Sequence, residues 1–485
     1  MASLLTLPLE LLVAVSSYLT TPDLGALRLT CKQAEKSLYE WFAEEFFTKK
    51  QFMLTYKSLE ALIDISKHVG FSKKLTHVII ATNAYSDIPL RFRDSEAAER
   101  FIEGAEDHKV LLSTGVVRDM LTEAFKNLEN LHTVGIRDFN NDKRRRDGIG
   151  ASWSSWGATT VYRETGVELQ FSTIHHLTTG QAVNFACLAF QNIIYALGKA
   201  NRKPQELEVL LRRSLLPDGA FYIPKFLQPE LDLVLHDLKT LLLRTDVFVR
   251  SFHTHTNGTP VDLKPGHYLR FFLGRTPNLT HLRLNLQKSN IKDNEEFLEW
   301  LALPPATPTS LPTPFFDPPS IALHKLAKLE FGQFNARPSI LLNVIAKFAS
   351  TLQEISLWRI TMNAGAGTSF AGQPNLWAGF FSKLADVPQL NLTSLKTGML
   401  SQDHFLVQFK NPGVKDAKPD MSREYAGNKM EAFLKELIDE VFVLWPQVVH
   451  VDSENEDEDE DEDEEMQDGD DDAEGQNNDA SDDEE

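Results

Sequence analysis

Apolar residues near the start of the chain recur at helical spacing and predict three short helices. Pro8 stands where the first would begin, and apolar side chains then surround nearly all of it: Leu9, Leu11, Leu12, Val13 and Val15. Thr21-Pro22-Asp23 predicts the start of a second helix, with a capping hydroxyl and an acid in its first turn. A third is predicted by Ala34, Leu38, Trp41, Phe42 and Phe46. Because a segment of about 40 residues rarely buries a core of its own, part of this surface is expected to contact something else.

Beyond these helices, the pattern Leu-x-x-Leu-x-Leu, with other apolar residues allowed, predicts a series of strands. It occurs at Leu75/Val78/Ile80, Leu131/Val134/Ile136, Leu238/Leu241/Leu243, Leu279/Leu282/Leu284, Leu326/Leu329/Phe331 and Leu352/Ile355/Leu357, with a weaker seventh at Leu392/Leu395. Helical patterns precede several of them, at 115–126, 340–348 and 376–384; another, at 182–200, leads into 207–210, and a last helix is predicted at 429–444. The fold class predicted is therefore α/β.

The spacing of these units leaves two architectures open. Successive starts lie 56, 107, 41, 47 and 26 residues apart, whereas leucine-rich repeats run about 20–29 residues. Only the first unit has the asparagine expected nine places into the repeat, Asn83. One interpretation is an irregular, leucine-rich-repeat-like solenoid, and the other is a plain α/β domain with parallel strands each preceded by a helix.

Insertions are predicted at about 138–162 and 303–320, the second rich in proline. The first carries Lys143-Arg-Arg-Arg146 close to Trp153 and Trp156. This basic run is interpreted as an exposed loop, a nuclear import signal or, less favourably, a nucleic-acid contact. Nucleic acid is an improbable partner because the rest of the chain is nearly neutral and the C-terminus is strongly acidic.

The net charge of −20 is concentrated at the C-terminus. Positions 452–485 hold 22 acidic residues and no lysine or arginine, which leaves 47 acids against 49 bases elsewhere. Mutual repulsion and the scarcity of apolar residues predict a disordered acidic tail. The tail is interpreted as a solvating segment or as a binding segment for basic proteins. The domains predicted are 4–47, a body at 48–451, and the tail at 452–485.

The chain carries no motif for catalysis that we can recognise. The glycine run at 365–372 lacks the lysine and the spacing of a phosphate loop. The histidine pairs His175-His176 and His253-Thr-His255 have no evident third ligand. We therefore expect no enzyme activity, no cofactor and no metal. Two cysteines and no long apolar run favour a protein of the cytoplasm or nucleus without a membrane span.

The N-terminal residues, in order, resemble a known module. Leu7-Pro8-x-Glu10-Leu11, Tyr18-Leu19, Asp23-Leu24, Leu27-Arg28 and Thr30-Cys31-Lys32 resemble the F-box, the adaptor-binding module of Skp–cullin–F-box ubiquitin ligases. The resemblance departs at Ala34, where a larger apolar residue is usual. It implies an adaptor-binding face formed by Leu7, Pro8, Leu11, Val15, Leu19, Leu24 and Leu27. The segments after the F-box and at 156–166 are similar to those of fungal F-box proteins.

The resemblance implies a non-catalytic substrate receptor. A Skp-type adaptor, and through it a cullin, would bind the F-box, while the body would hold a target protein near the ubiquitin-transfer machinery. The alternative is a nuclear, chaperone-like protein that binds basic partners through its acidic tail, with the F-box serving an assembly other than a ligase. Deleting the tail would separate the two, because only the alternative needs it for target binding.

Overall fold

The computed structural model describes residues 7–85, 90–140, 145–148, 154–176, 182–249, 263–287, 291–305, 318–363, 373–411 and 418–445. The described residues up to Leu444 belong to one compact unit. Several sequence predictions fall outside them and stay predictions: the acidic tail at 452–485, the glycine run at 365–372, His253-Thr-His255, Lys143-Arg144 and most of the insertion at 303–320.

The three predicted N-terminal helices are present as α1 (Leu9–Ser16), α2 (Thr21–Thr30) and α3 (Lys32–Phe47). Pro8 occupies the N-cap of α1, and the Cys31 sulfur accepts a hydrogen bond from Ala34 N at 3.4 Å to cap α3. The prediction that Thr21 caps α2 is wrong. Thr20 is the cap and accepts from Asp23 N at 3.3 Å. Thr21 is instead the first residue of the helix and donates to another part of the chain.

The body contains most of the strands. Those described are β1 (Lys49–Met53), β2 (His77–Ala81), β3 (Asn83–Ala84), β4 (Thr133–Arg137), β5 (Gln170–Phe171), β6 (Ile174–His176), β7 (Ala182–Asn184), β8 (Glu206–Leu210), β9 (Leu216–Pro217), β10 (Thr240–Asp246), β11 (His281–Asn285), β12 (Lys328–Gly332), β13 (Asn335–Ala336), β14 (Glu354–Trp358), β15 (Thr361–Met362), β16 (Ser394–Gly398), β17 (Ser401–Gln402), β18 (Phe405–Phe409), β19 (Ser422–Ala426) and β20 (Val441–Val443).

The strands of the main sheet lie side by side in the same order as they occur along the chain. Its path is β1-β2-β4-β8-β10-β11-β12-β14-β16-β19, and only the last pair is antiparallel. The order never reverses, as it would at the switch point of a doubly wound sheet. The predicted pattern units all supply strands of this path, so those strand predictions are confirmed. Membership of the leucine-rich-repeat class stays a prediction.

The apolar positions of the predicted pattern line up across the sheet. One row in register is Val78, Val134, Leu207, Leu241, Leu282, Leu329, Ile355 and Leu395. A second row, two residues further along each strand, begins at Ile80 and ends at Leu357. Each residue of the first row is buried. Because burying one such side chain contributes about 1.5–3 kcal/mol, these rows form the core of the body.

Helices cover the face of the sheet to which these rows point. They are α4 (Tyr56–Lys67), α5 (Phe71–Lys74), α6 (Ser95–Thr114), α7 (Val116–Asn127), α8 (Ala158–Thr165), α9 (Phe185–Ala200), α10 (Gln228–His236), α11 (His267–Leu273), α12 (Ile291–Ala302), α13 (Pro338–Phe348), α14 (Leu376–Ala385) and α15 (Met430–Glu440). Neighbours in this layer pack on each other, α4 on α7, α7 on α9, and α12 through α15 in sequence. The helices predicted at 115–126, 340–348 and 376–384 are confirmed.

Two predicted helices are too long. Residues 182–184 form β7 before α9 begins, and residues 441–443 form β20 after α15 ends. In β20 the two valines are buried on either side of a half-buried phenylalanine, and the strand pairs with β18. Alternation of this kind suits a strand, so tertiary pairing overrides the helical spacing that leads into it. Within the insertion at 138–162, residues 158–162 belong to α8.

A smaller sheet, β13-β15-β17-β18-β20, lies beyond the main strands. A similar backbone turn follows each of β12, β14 and β16 and leads the chain into this smaller sheet. In these turns Gln333, Arg359 and Met399 have φ values of 63°, 56° and 51°. This left-handed conformation costs a non-glycine residue about 1–3 kcal/mol. It persists because each turn is bonded across the sheet: Gln333 N donates to Trp358 O and Arg359 N to Gly398 O.

Candidate partner-docking surfaces

The first helix exposes an apolar stripe. Leu12 and Ser16 point into the N-terminal helices and are buried. Leu11, Val15 and Tyr18 follow at helical spacing beside them and are 53%, 47% and 88% exposed. Pro8 extends the stripe at its N-terminal end and is also exposed. These four apolar side chains, two on α1 and one beyond each of its ends, present a surface suited to a partner protein.

The structure divides the seven predicted adaptor contacts into three groups. Pro8, Leu11 and Val15 are exposed, whereas Leu7, Leu19 and Leu27 are half-buried. Leu24 is completely buried. It therefore packs the N-terminal helices together, and we leave it out of the exposed stripe. The sequence prediction had not included Tyr18 or Leu29, each 88% exposed, because helical spacing does not show which apolar side chains the third helix covers.

Aromatic stacking joins the N-terminal helices to the start of the body. The Phe42 and Phe46 rings stack at 4.6 Å between centroids, and the Arg28 guanidinium lies 3.5 Å above the centre of Phe42. Phe47 stacks on Phe71 of α5 at 4.0 Å and 3° between planes. Aromatic pairs of this kind add about 0.5–1.5 kcal/mol beyond the area they bury.

The end of the basic run in the first insertion, and the residue after it, contact the N-terminal helices. Arg146 is almost buried; its Nη2 lies 2.6 Å from Glu45 Oε1, and its guanidinium faces the Trp41 and Phe46 rings at 5.2 and 5.4 Å. Asp147 accepts from Thr21 N at 2.6 Å and from Thr21 Oγ1 at 2.7 Å, so its charge lies at the positive end of α2. We name this arrangement the Arg146–Asp147 clamp. Arg146 is consequently committed to internal packing.

The face of the main sheet that points away from the core rows is polar, and we call it the polar face. Near β2, β4 and β8 it centres on Glu208, with His77 Nε2 at 3.5 Å and Arg137 Nη2 at 3.3 Å. Burial raises the pKa of Glu208, but the neighbouring His77 and Arg137 outweigh it and bring the pKa down to about 2. Burial lowers the pKa of His77, so at pH 7 Arg137 is the charged partner.

A second charge cluster on the polar face lies at β11 and β12. Glu330 contacts His281 Nε2 and the Arg283 guanidinium, each at 2.6 Å, and Lys328 at 3.3 Å. Burial alone would raise the pKa of Glu330; its bonds to His281 and Arg283 hold that pKa well below its ordinary range. These contacts fix the position of the Glu330 carboxylate on the polar face.

A cleft of about 510 Å³ lies between the end of β1 and helices α4, α6 and α8. Its walls include Tyr85, Glu103, Asp107 and Trp156. Burial and two nearby carboxylates, Glu164 and Asp107, raise the pKa of Tyr85 to about 12, so the phenol is neutral at physiological pH. Asn83 lies outside this lining and is bonded to Ser155 and to Leu169 O, holding the second half of the first insertion.

The histidine pair His175-His176 lies on β6, but its side chains fall outside the described part of the structure, so the prediction about it stays a prediction. Among the described residues, no group of three histidine, cysteine or acidic side chains lies close enough to hold a metal ion. Cys31 and Cys187 are free thiols, and burial raises the pKa of Cys187 to about 11. In the described part of the chain, no helix combines the length and the apolar character that crossing a membrane requires.

Comparison with known proteins identifies the N-terminal module. Residues 4–37 match the F-box domain family, so the exposed stripe on α1 belongs to an F-box. Among solved structures, the chain is similar to one described as the crystal structure of the Rad7 and Elc1 complex in yeast, with 9% identity, a TM-score of 0.23, and coverage of 75% of this chain and 82% of that chain. No curated protein matches the chain.

Proposed function

We propose that the protein is a non-catalytic substrate-receptor subunit of a Skp–cullin–F-box ubiquitin ligase. Its F-box would bind a Skp-type adaptor, and through it a cullin, while the body would hold a target protein. The receptor would contribute proximity alone, because a lysine held near the ubiquitin thioester reacts as if at a high local concentration. The fungal type and the leucine-rich-repeat-like character of the body belong to this proposal.

The observation that carries the proposal is the exposed apolar stripe on α1 of a segment that matches the F-box family. Covering the exposed half of Leu11 and of Val15, together with Tyr18 and Pro8, would remove a continuous apolar area from water. At about 25 cal/mol per Å², such a patch contributes several kcal/mol before the costs of association. This supports a stable complex with a partner that offers a matching apolar surface.

The experiment is a binding titration of purified Skp-type adaptor with the full-length chain. In the test variant, Leu11→Asp, the carboxylate would be placed at the centre of the stripe and would be desolvated without a partner. The control is Leu233→Asp on α10 of the body, because Leu233 is 54% exposed and Leu11 is 53% exposed. We expect Leu11→Asp to weaken binding at least 100-fold and Leu233→Asp to change it less than twofold.

Two results would contradict this proposal. Equal binding by the two variants would place the adaptor elsewhere on the chain and remove the stripe from the proposal. Absence of binding by the folded wild-type chain would refute the ligase assignment. Circular dichroism of each variant shows whether the F-box helices are still folded.

A further inference from the structure

Several arginines meet where β4, β8 and β10 end on the polar face, and the proposed function does not yet use them. Arg137 is the last residue of β4, Arg212 and Arg213 follow β8, and Arg244 lies on β10. Arg359 belongs to the turn after β14, at the same end of the parallel strands and three strands along the sheet from Arg244. We call these five residues the arginine patch.

Hydrogen bonds fix the backbone that presents the patch. The Asp138 carboxylate is buried and accepts from the backbone N–H of Arg212 at 2.6 Å, of Arg213 at 2.7 Å and of Ser214 at 3.0 Å. The Arg244 guanidinium donates to Leu211 O at 2.6 Å and to Arg212 O at 2.8 Å. The Asp138 carboxylate and the Arg244 guanidinium therefore both fix the turn that carries the exposed Arg212 and Arg213.

Aromatic rings hold the guanidinium groups in place. The Arg212 guanidinium lies 4.2 Å from the centre of the Phe139 ring, and Arg213 lies 5.7 Å from that of Phe171. A guanidinium held over an aromatic ring can still direct its edge donors to an oxyanion. The loss of side-chain entropy on binding is correspondingly reduced.

The charge balance of the patch is positive. Three carboxylates lie among the five guanidinium groups, and each already accepts a hydrogen bond: Asp138 from the turn, Glu208 from Arg137, and Asp246 from Phe248 N. Arg212, Arg213 and Arg359 are exposed. No carboxylate of the described residues forms an ion pair with any of these three. Their donors face solvent and are available to an added anion.

We infer that the arginine patch is a docking surface for an acidic peptide segment, rich in aspartate and glutamate, of a bound protein. Bidentate pairing of guanidinium with carboxylate is the strongest polar contact available to such a surface. The inference rests on the proposed function for the identity of that protein, namely the target held by the body.

A short acidic segment fits the surroundings better than a nucleic acid does. Further along the polar face, Arg283 and Lys328 are already paired with Glu330, and Lys328 also with Glu354. A polyanion extending beyond the patch would therefore meet cations that already have carboxylate partners. The patch has three exposed arginines, which is enough to bind a few carboxylates. A protein that binds duplex nucleic acid typically contacts about six to ten phosphates, more than these three arginines provide.

The test uses the full-length chain and a fluorescein-labelled 12-residue peptide of alternating aspartate and glutamate, followed by anisotropy without any adaptor. The test variant is Arg212→Glu/Arg213→Glu, and the control is Lys225→Glu/Lys429→Glu, which makes the same change in net charge at exposed positions outside the patch. We expect the patch variant to bind at least tenfold more weakly and the control to stay within twofold. Binding should also weaken as salt is raised.

Three results would overturn the inference. The first is a failure to bind through the patch, seen either as no binding by the wild-type chain or as equal weakening by both variants, the latter showing a response to net charge alone. The second is a single-stranded oligonucleotide that binds more tightly than the peptide with the same dependence on Arg212 and Arg213. The third is binding only by a serine-phosphorylated peptide. Because the peptide assay contains no adaptor, a negative result in it does not change the interpretation of the adaptor titration.

Discussion

Replacing Asp147 by asparagine should loosen the F-box helices from the body. Asp147 accepts two hydrogen bonds from Thr21, at 2.6 and 2.7 Å, across 126 positions of sequence. Asparagine has the same shape but only one acceptor oxygen, and its amide nitrogen would face a donor. One charge-assisted hydrogen bond is worth about 1.5–3 kcal/mol. Since both residues are half-buried and solvent weakens the interaction, we expect a loss around the lower end of that range, about 1–2 kcal/mol.

The assay is native-state hydrogen exchange, which resolves local stability. A loss of about 1–2 kcal/mol corresponds to a 5- to 30-fold fall in protection, because each 1.4 kcal/mol is a factor of ten. The fall should be confined to amides of α1 to α3, while β10 to β12 in the body keep their protection. A double-mutant cycle with Thr21→Val isolates the bond from the Thr21 hydroxyl, because the backbone N–H of residue 21 remains in the variant.

The reasoning would be refuted by a coupling energy near zero in that cycle, or by an equal loss of protection across the body strands. The first result would mean that the Thr21 hydroxyl and the Asp147 carboxylate do not stabilise each other in solution. The second would mean that Asp147 supports the whole unit, so that the F-box is not held by a separate clamp. Unchanged circular dichroism of each variant is the control for misfolding.

Two further predictions concern the body. The folded pKa of Glu208, about 2, lies below its ordinary 4.5, so the ionised carboxylate stabilises the fold above pH 4.5. This contribution, about 2–3 kcal/mol, is lost as the pH falls toward 2. Urea unfolding at pH 7, 4.5 and 3 should show a steeper loss in the wild type than in Glu208→Gln, and equal slopes would contradict the assignment. Trp377→Ala removes a fully buried ring whose Nε1 donates to Ser401 O at 2.9 Å. It should cost about 3–5 kcal/mol in the free energy of unfolding, and a loss below 1 kcal/mol would be inconsistent with this packing.

The basic run at 143–146 shows why a motif in sequence underdetermines its role. Read along the chain, it suggested an exposed loop, an import signal or a nucleic-acid contact. In the structure Arg146 is almost buried between Glu45 and two aromatic rings, and the next residue, Asp147, binds Thr21. These contacts join positions about 100 or more apart, and no local signal specifies which distant residue a charge will meet.

The local periodicities were informative because each is set by neighbours in sequence. Helical spacing after Pro8 and the repeated Leu-x-x-Leu-x-Leu pattern place apolar side chains on one face of an element, whatever its later partners. The F-box helices and most strands of the main sheet were therefore predictable from the sequence, whereas β1 and β19 lie outside the predicted pattern. The short strands of the smaller sheet were not, since a two-residue strand has no period to detect.

What the tertiary structure alone decided is the arrangement of charge and exposure. The order of strands brings Glu208 to Arg137 and Glu330 to His281 across neighbouring strands, and it gathers the arginine patch from four separate segments. It also buries Leu24 and leaves Leu11 exposed, although both are apolar residues of the N-terminal helices. Hydrophobic periodicity determines which face of an element turns inward, but which of its residues reach a partner depends on what packs against that face, and packing is a property of the whole fold.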